Sequence, residues 1–151
     1  MMKFKKISLL ELKNIVYLSY ENDVDLCNKY HSINKLEPNQ SYNINECADI
    51  TYNRIEEASK HLDLEYYKIV YKKNTIGYIA VFENILYSFA IAVKYRVKDI
   101  LKIWWEKVSN VLGNGFVTFI YDNNARCLNF LLKNNMEVID EEKGIITLKN
   151  I

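Results

Sequence analysis

No apolar run in this chain approaches the roughly 20 residues needed to cross a bilayer, which argues against a membrane-spanning helix. The N-terminus, MMKFKKISLLELKN, has an early basic cluster but meets Glu11 after only a few apolar residues, so it does not read as a signal peptide. Cysteine is scarce. Cys27, Cys47 and Cys127 are odd in number, widely spaced and without a C-x-x-C pair, which argues against a disulfide framework or a zinc site. A reducing cytosol is the expected setting, and the Asn39-Gln40-Ser41 sequon is then irrelevant. The net charge of +1 lacks the basic excess of a general nucleic-acid or membrane-surface binder, so neither partner is expected. His31 and His61 have no metal-like spacing with Asp or Glu. Glu21, Asp23 and Asp25 resemble half a calcium loop without its glycine and distal Glu, and read as surface charge; no metal is expected.

What is present is an ordinary globular composition, 50% hydrophobic and 26% charged over 151 residues, enough for one domain with a real core across 1–151. Lys3–Ile7 reads as a first strand. Ser8 followed by Glu11 is a capping box, opening a helix that buries Leu9, Leu12, Ile15 and Val16. From Glu21 to Asn45 the pattern fades into a polar loop that holds Pro38, the single proline, with a helical turn at Val24–Tyr30. A second helix from Asn45 to Leu62 carries Cys47, Ile50, Ile55, Ala58 and Leu62 at helical spacing.

Three Tyr-, Ile- and Val-rich runs follow, Leu64–Lys73, Thr75–Glu83 and Ile85–Val93, an antiparallel meander broken at Asn-Thr and Glu-Asn. The basic turn Lys94–Lys98 opens a helix with Ile100, Ile103, Trp104, Val108 and Val111 on one side, ended by Gly113 and Gly115. Trp104 and Trp105 are adjacent: one belongs to the core, the other to a groove or a homodimer contact. Gly115–Tyr121 is a fifth strand, and the helix after it turns Ala125, Leu128, Leu131 and Leu132 inward. Val138–Glu141 and Ile145–Leu148 close the chain as a hairpin across Glu142-Lys143-Gly144.

The last helix and the basic turn resemble motifs of the GNAT superfamily of acetyl-coenzyme A-dependent N-acetyltransferases. The closing-helix pattern N-x-x-A-x-x-x-Y-x-K-x-G-F falls on Asn124, Cys127, Leu131, Lys133, Asn135 and Met136. Asn and Lys are kept, the small residue becomes Cys, and Tyr, Gly and Phe are replaced. The phosphate-turn pattern y-R-x-x-G-x-G falls on Tyr95, Arg96, Asp99 and Leu101, with both glycines gone. The segment order β-α-α-β-β-β-α-β-α-β-β matches the family's layout. It implies an α+β, three-layer fold: a mixed, mostly antiparallel seven-stranded sheet with helices on both faces and a parallel pairing of the fourth and fifth strands only.

The resemblance implies acetyl-coenzyme A as cofactor and a primary amine, on a small molecule or a protein, as acceptor. Backbone donors to the thioester carbonyl would lie at Ile91, Ala92 and Val93, and the pyrophosphate would sit on Arg96, Val97, Lys98, Asp99, Ile100 and Leu101. Lys94 and Lys102 add charge around that turn, which is equally a solvated basic face at a helix start. Asn124 would bind the pantetheine arm or cap its helix, and Cys127 would lie beside the cofactor. Leu131 cannot supply the proton of the family's Tyr. Tyr121, or Tyr95, is the candidate acid; Glu83 is the candidate base, with Tyr87 and Ser88 near it on the fourth strand. The alternative is a catalytically silent GNAT-fold binding or structural module, for example of a phage.

Overall fold

A computed structural model describes residues 1–23 and 44–151. The expected helical turn at Val24–Tyr30, Pro38, His31, Asp25 and most of the expected loop lie outside those residues.

Alternating and near-continuous apolar runs form seven strands: β1 (Met2–Ile7), β2 (Glu65–Tyr71), β3 (Asn74–Phe82), β4 (Ile85–Ile91), β5 (Val117–Tyr121), β6 (Met136–Glu142) and β7 (Ile145–Asn150). They make one sheet in the order β1-β2-β3-β4-β5-β7-β6. Every neighbouring pair is antiparallel except β4 and β5, which a helical crossover forces to be parallel. Among the described residues four α-helices cover the sheet: α1 (Leu9–Tyr20), α2 (Ile44–Ser59), α3 (Lys98–Leu112) and α4 (Ala125–Lys133). The fold class is α+β, as the segment order implied.

Helix α1 starts where its capping box dictates. The Glu11 N–H donates to Ser8 Oγ at 3.2 Å, and the Ser8 N–H reaches back to Glu11 Oε1 at 3.4 Å. Leu12, Ile15 and Val16 then pack with Cys47, Tyr52 and Ile55 of α2 onto Tyr66, Tyr78, Ala80 and Ala90 of the sheet. The opposite face carries the larger cluster. There Ile79, Val81, Leu86 and Ile91 meet Trp104, Trp105 and Val108 of α3 and Leu131 of α4.

Several details depart from the sequence reading. The β2–β3 turn falls on Lys72-Lys73, not Asn74-Thr75, because Tyr71 pairs with Asn74; both lysines take positive φ, the geometry that matches strand twist. The last turn is Lys143-Gly144, and β6 begins two positions before Val138, at Met136. Trp104 and Trp105 are both core, 3% and 4% exposed, because α3 is sunk between the sheet and α4 and buries more than one stripe. Their rings join Phe89, Phe116 and Phe130 in one aromatic cluster. Ile103 and Val111 of α3, and Ala125 and Leu132 of α4, face outward instead of in. Asp23 is buried, not surface charge.

Candidate active site

β4 and β5 pair only at Ile85–Val117 and Leu86–Thr118 and then separate. The buried Thr118 hydroxyl donates to the Leu86 carbonyl at 2.8 Å, a tie at the last paired rung. Beyond it lies a cleft of about 1240 Å³ that passes between the strands. Thr51 and Ile55 of α2 line it on one face of the sheet; Leu101, Trp104 and Phe130 line it on the other.

The ladder decides which β4 amides enter this gap. The Ala92 N–H donates to Ile76 O on β3 at 2.7 Å. Backbone groups alternate sides along an antiparallel strand, so those of Ala90 and Ala92 face β3 and those of Phe89 and Ile91 face the gap. Ala92 is thereby taken by the sheet, and Val93 opens an exposed single turn of 3-10 helix, Val93–Tyr95, outside the cleft lining. Of the three donors expected at Ile91, Ala92 and Val93, Ile91 is the one aimed into the cleft. Phe89 was missed; nothing in the sequence reports which amide the partner strand leaves over.

Helix α3 begins at Lys98 with Val97 as its N-cap, which offers no side-chain acceptor. The first-turn N–H groups of the helix are therefore left to a partner outside it, beginning before the Leu101 N–H, which bonds to Val97 O at 2.9 Å. Asp99 and Leu101, in the slots of the motif glycines, lie in regular helix with no positive φ. Leu101 lines the cleft, whereas Val97, Lys98, Asp99 and Ile100 do not. Lys94 stacks on Tyr95 with Nζ 5.2 Å from the ring centre, and neither reaches the cleft.

Arg96 is partly exposed, but its guanidinium is bonded to the protein. Its Nε donates to the Ile91 carbonyl at 2.6 Å and its terminal nitrogen bonds to Asp23 Oδ2 at 2.7 Å. The same nitrogen reaches Ser19 O at 3.5 Å. This pairing joins residues 73 apart in sequence, beyond the range of any local signal.

On the other wall, Asn124 caps α4 by accepting from the Cys127 N–H at 3.4 Å, and both residues line the cleft. Tyr121 closes β5 at the gap. Arg54 of α2 donates to its hydroxyl and holds its guanidinium 5.5 Å from the ring centre. Arg54 also escaped the sequence reading, being one cation on the polar side of an amphipathic helix. Glu83 sits in the β3–β4 turn with φ 53°, at the end of β4 away from Ile91, and is not brought to the cleft. Leu131 is fully buried in the core and does not line the cleft, so the motif Tyr slot points elsewhere here. The carboxylates that do line it are Asp23, Asp140 and Glu142, the last two across from Thr147 and Ile145 of β7. The Trp104 indole N–H, on a residue of the cleft wall, is buried and has no hydrogen-bond partner among the described residues. No group of three or more His, Cys, Asp or Glu among the described residues is arranged to hold a metal ion. No described helix is long and apolar enough to cross a membrane.

Neither a protein-family model nor a curated protein matches the sequence. Solved structures do match its fold. The PaiA N-acetyltransferase of Thermoplasma acidophilum in complex with coenzyme A is similar at TM-score 0.61 and 15% identity, over 99% of this chain and 98% of that one. The Campylobacter jejuni N-acetyltransferase PseH in complex with acetyl coenzyme A matches at TM-score 0.53 and 12% identity, over 99% and 97%. A variant of the spermidine N-acetyltransferase SpeG of Vibrio cholerae matches at TM-score 0.57 and 9% identity, over 98% and 91%. At such identities the likeness is one of fold alone: the chain shares its fold with these N-acetyltransferases.

Proposed function

We propose that this chain is an N-acyltransferase that takes an acetyl group from acetyl-coenzyme A to a primary amine. The observation that supports it best is the β4–β5 fork with the Ile91 amide turned into a cleft open to both faces of the sheet. A parallel pair that parts after two rungs leaves backbone donors without strand partners, and such groups demand an acceptor. A thioester carbonyl lying along the gap would be that acceptor.

The residues present suit coenzyme A. The uncapped start of α3 favours the pyrophosphate through its N–H groups and the helix dipole, which is sequence-independent and survives the loss of glycines. Asn124 keeps its side-chain amide on the opposite wall of the cleft, where it suits an amide-bearing arm. When bound, coenzyme A would supply the activated acyl group.

The chain's own groups then divide the work. The Ile91 N–H, or that of Phe89, donates to the carbonyl oxygen as negative charge builds there. The acceptor amine enters from the α1–α2 side, where Asp140 and Glu142 attract a cationic substrate. The ammonium first gives a proton to water in the open cleft. Tyr121 then takes the role of acid, protonating the thiolate as the C–S bond breaks, and its phenol is restored by the proton that the new amide nitrogen sheds. Because Arg54 donates to the Tyr121 oxygen, the phenol's own hydrogen is directed away from Arg54.

The test is thermal unfolding with and without acetyl-coenzyme A, followed by coenzyme A release with a panel of amines. Saturation at 100 times the dissociation constant should add roughly 2.7 kcal/mol. Unchanged melting at millimolar acetyl-coenzyme A would overturn the reading. Leu101 in the cleft wall, in a glycine slot, favours a second reading, a silent binding module; stabilisation without release for any amine would select it.

A further inference from the structure

Arg96 stands where a phosphate ligand was expected, yet its guanidinium is committed to protein groups from three places. It bonds to Ile91 O at the tip of β4, to Ser19 O near the end of α1, and to Asp23 Oδ2 just beyond that helix. Ile91 is also the residue whose N–H faces the cleft. The two facts share one backbone. The carbonyl and N–H of an extended strand residue point to the same side, so holding the Ile91 carbonyl while β3 keeps the residue extended also sets the direction of its amide. Across the strand, Gly77 stands so close that a Cβ there would lie 2.1 Å from Ala90 O and 3.0 Å from Ile91 Cα. Ile91 is thus held from both sides, by β3 on one and by a charge-assisted bond on the other.

We propose that Arg96 is a positioning residue, not a phosphate ligand: clamped by the buried Asp23, it holds the Ile91 peptide so that its N–H aims at the acyl carbonyl. The role of that carbonyl rests on the N-acyltransferase reading; the clamp itself does not. Asp23 is what makes the assignment specific. A guanidinium meant for phosphate gains nothing from a buried carboxylate at 2.7 Å, which competes for it. A guanidinium meant to hold a carbonyl gains a fixed orientation. The pair also links the turn that opens α3 to the end of α1, so the donor-side and acceptor-side walls of the cleft share one anchor.

Two variants separate the roles. Arg96→Lys keeps a positive charge for phosphate but cannot make the forked set of bonds to Ile91, Ser19 and Asp23. Asp23→Asn removes the competing charge. If Arg96 positions Ile91, both variants lower the turnover number on the order of 10²-fold, the effect of a small misplacement of a reacting group. Coenzyme A affinity by calorimetry stays within about threefold, whereas a lost phosphate contact weakens it roughly 10- to 150-fold. In the ligand-free protein, the Ile91 amide resonance should broaden or exchange faster in Arg96→Lys than in wild type. Wild type itself should show a protected Arg96 Nε–H signal that coenzyme A leaves in place. Tighter coenzyme A binding in Asp23→Asn, or an Arg96 Nε–H that is unprotected until coenzyme A arrives, would overturn the proposal. If Asp23→Asn does not fold, the wild-type Nε–H signal and Arg96→Lys still decide it. If wild type binds no acetyl-coenzyme A, the N-acyltransferase reading falls, and the ligand-free Ile91 and Arg96 signals still judge the clamp.

Discussion

Replacing Gly77 by Ala sets local preference against packing, and the structure says which should win. In a strand interior, Gly is disfavoured relative to Ala by roughly 0.5–1 kcal/mol, so propensity alone predicts stabilisation. Gly77 has an ordinary strand conformation, so no backbone strain opposes the change. Space does. The added Cβ would meet Ala90 O at 2.1 Å, and that atom is backbone in the middle of the sheet, not the far end of a flexible side chain. β3 and β4 must move apart, and overpacking of this kind costs typically 1–3 kcal/mol. With a main-chain obstacle the upper end applies, leaving a net loss of about 2 kcal/mol after the propensity gain. For a domain near 150 residues each kcal/mol moves the midpoint by roughly 2–4 °C, so calorimetry should show a drop of about 4–8 °C. Since Gly77 faces Ile91, the displaced strand also carries the candidate carbonyl donor, and stabilisation by acetyl-coenzyme A should shrink with it. A melting temperature equal to or above wild type would refute the close approach of β3 and β4 and weaken the account of Ile91 with it.

Tyr121→Phe should lower coenzyme A release by about 10²–10⁴-fold if Tyr121 is the acid, with coenzyme A affinity unchanged; a turnover near wild type would pass the role to water. Leu131→Tyr should lower the melting temperature by overpacking the core, about 1–3 kcal/mol, and give no gain in turnover, because Leu131 does not face the cleft; a faster variant would show otherwise. On the sheet far from the cleft, the Tyr67 hydroxyl at 2.8 Å, and then Lys6, hold the Glu65 carboxyl below its ordinary value. Stability from Glu65 is therefore present above its unfolded pKa and lost as pH falls through the lowered folded one, and Tyr67→Phe should move its NMR titration upward. Tyr67 is raised, chiefly by the same bond, so its share is present below its unfolded pKa and lost as pH rises through the folded one.

The fold was legible because each element advertises itself over a few neighbouring residues. The capping box at Ser8 and Glu11, the β-branched and aromatic meander, and the crossover between β4 and β5 need no long-range information. What failed was anything set by depth of burial. Periodicity finds the centre of the stripe on α3 but not its width, so Trp105 was counted as a candidate for the surface and Ile103 as core. The turn at Lys72-Lys73 was misplaced by two residues, because lysine carries no signal for positive φ and the strand register chose the turn. The polar site was the least legible. Arg96–Asp23 and Arg54–Tyr121 join residues 73 and 67 apart, and such pairs leave no periodic trace in either segment.

The degenerate motif has a physical reading once each slot is described by its role. Asn135, in the slot of the closing-helix glycine, has φ 66°, a conformation that Asn tolerates better than most residues. Met136, in the slot of the Phe, is 3% exposed and fills the core. In both slots the residue present meets the backbone or packing demand at that position. Asp99 and Leu101 are different. They stand in regular helix without positive φ, so the freedom expected of glycine was never needed there; what glycine would supply is room. Asp99 points no side chain into the cleft lining, while Leu101 does. Non-glycine residues in these two slots therefore leave the fold unaffected, and their effect falls on the clearance between Leu101 and whatever lies along α3. Leu101→Gly tests that directly. It removes a half-buried side chain and a good helix former, so stability should fall; Gly alone is worth about 1 kcal/mol less than Ala in a helix interior. If Leu101 narrows the cofactor path, coenzyme A affinity measured at equal folded concentration should rise despite that loss. Weaker binding would mean that Leu101 is a contact for the ligand, not an obstruction.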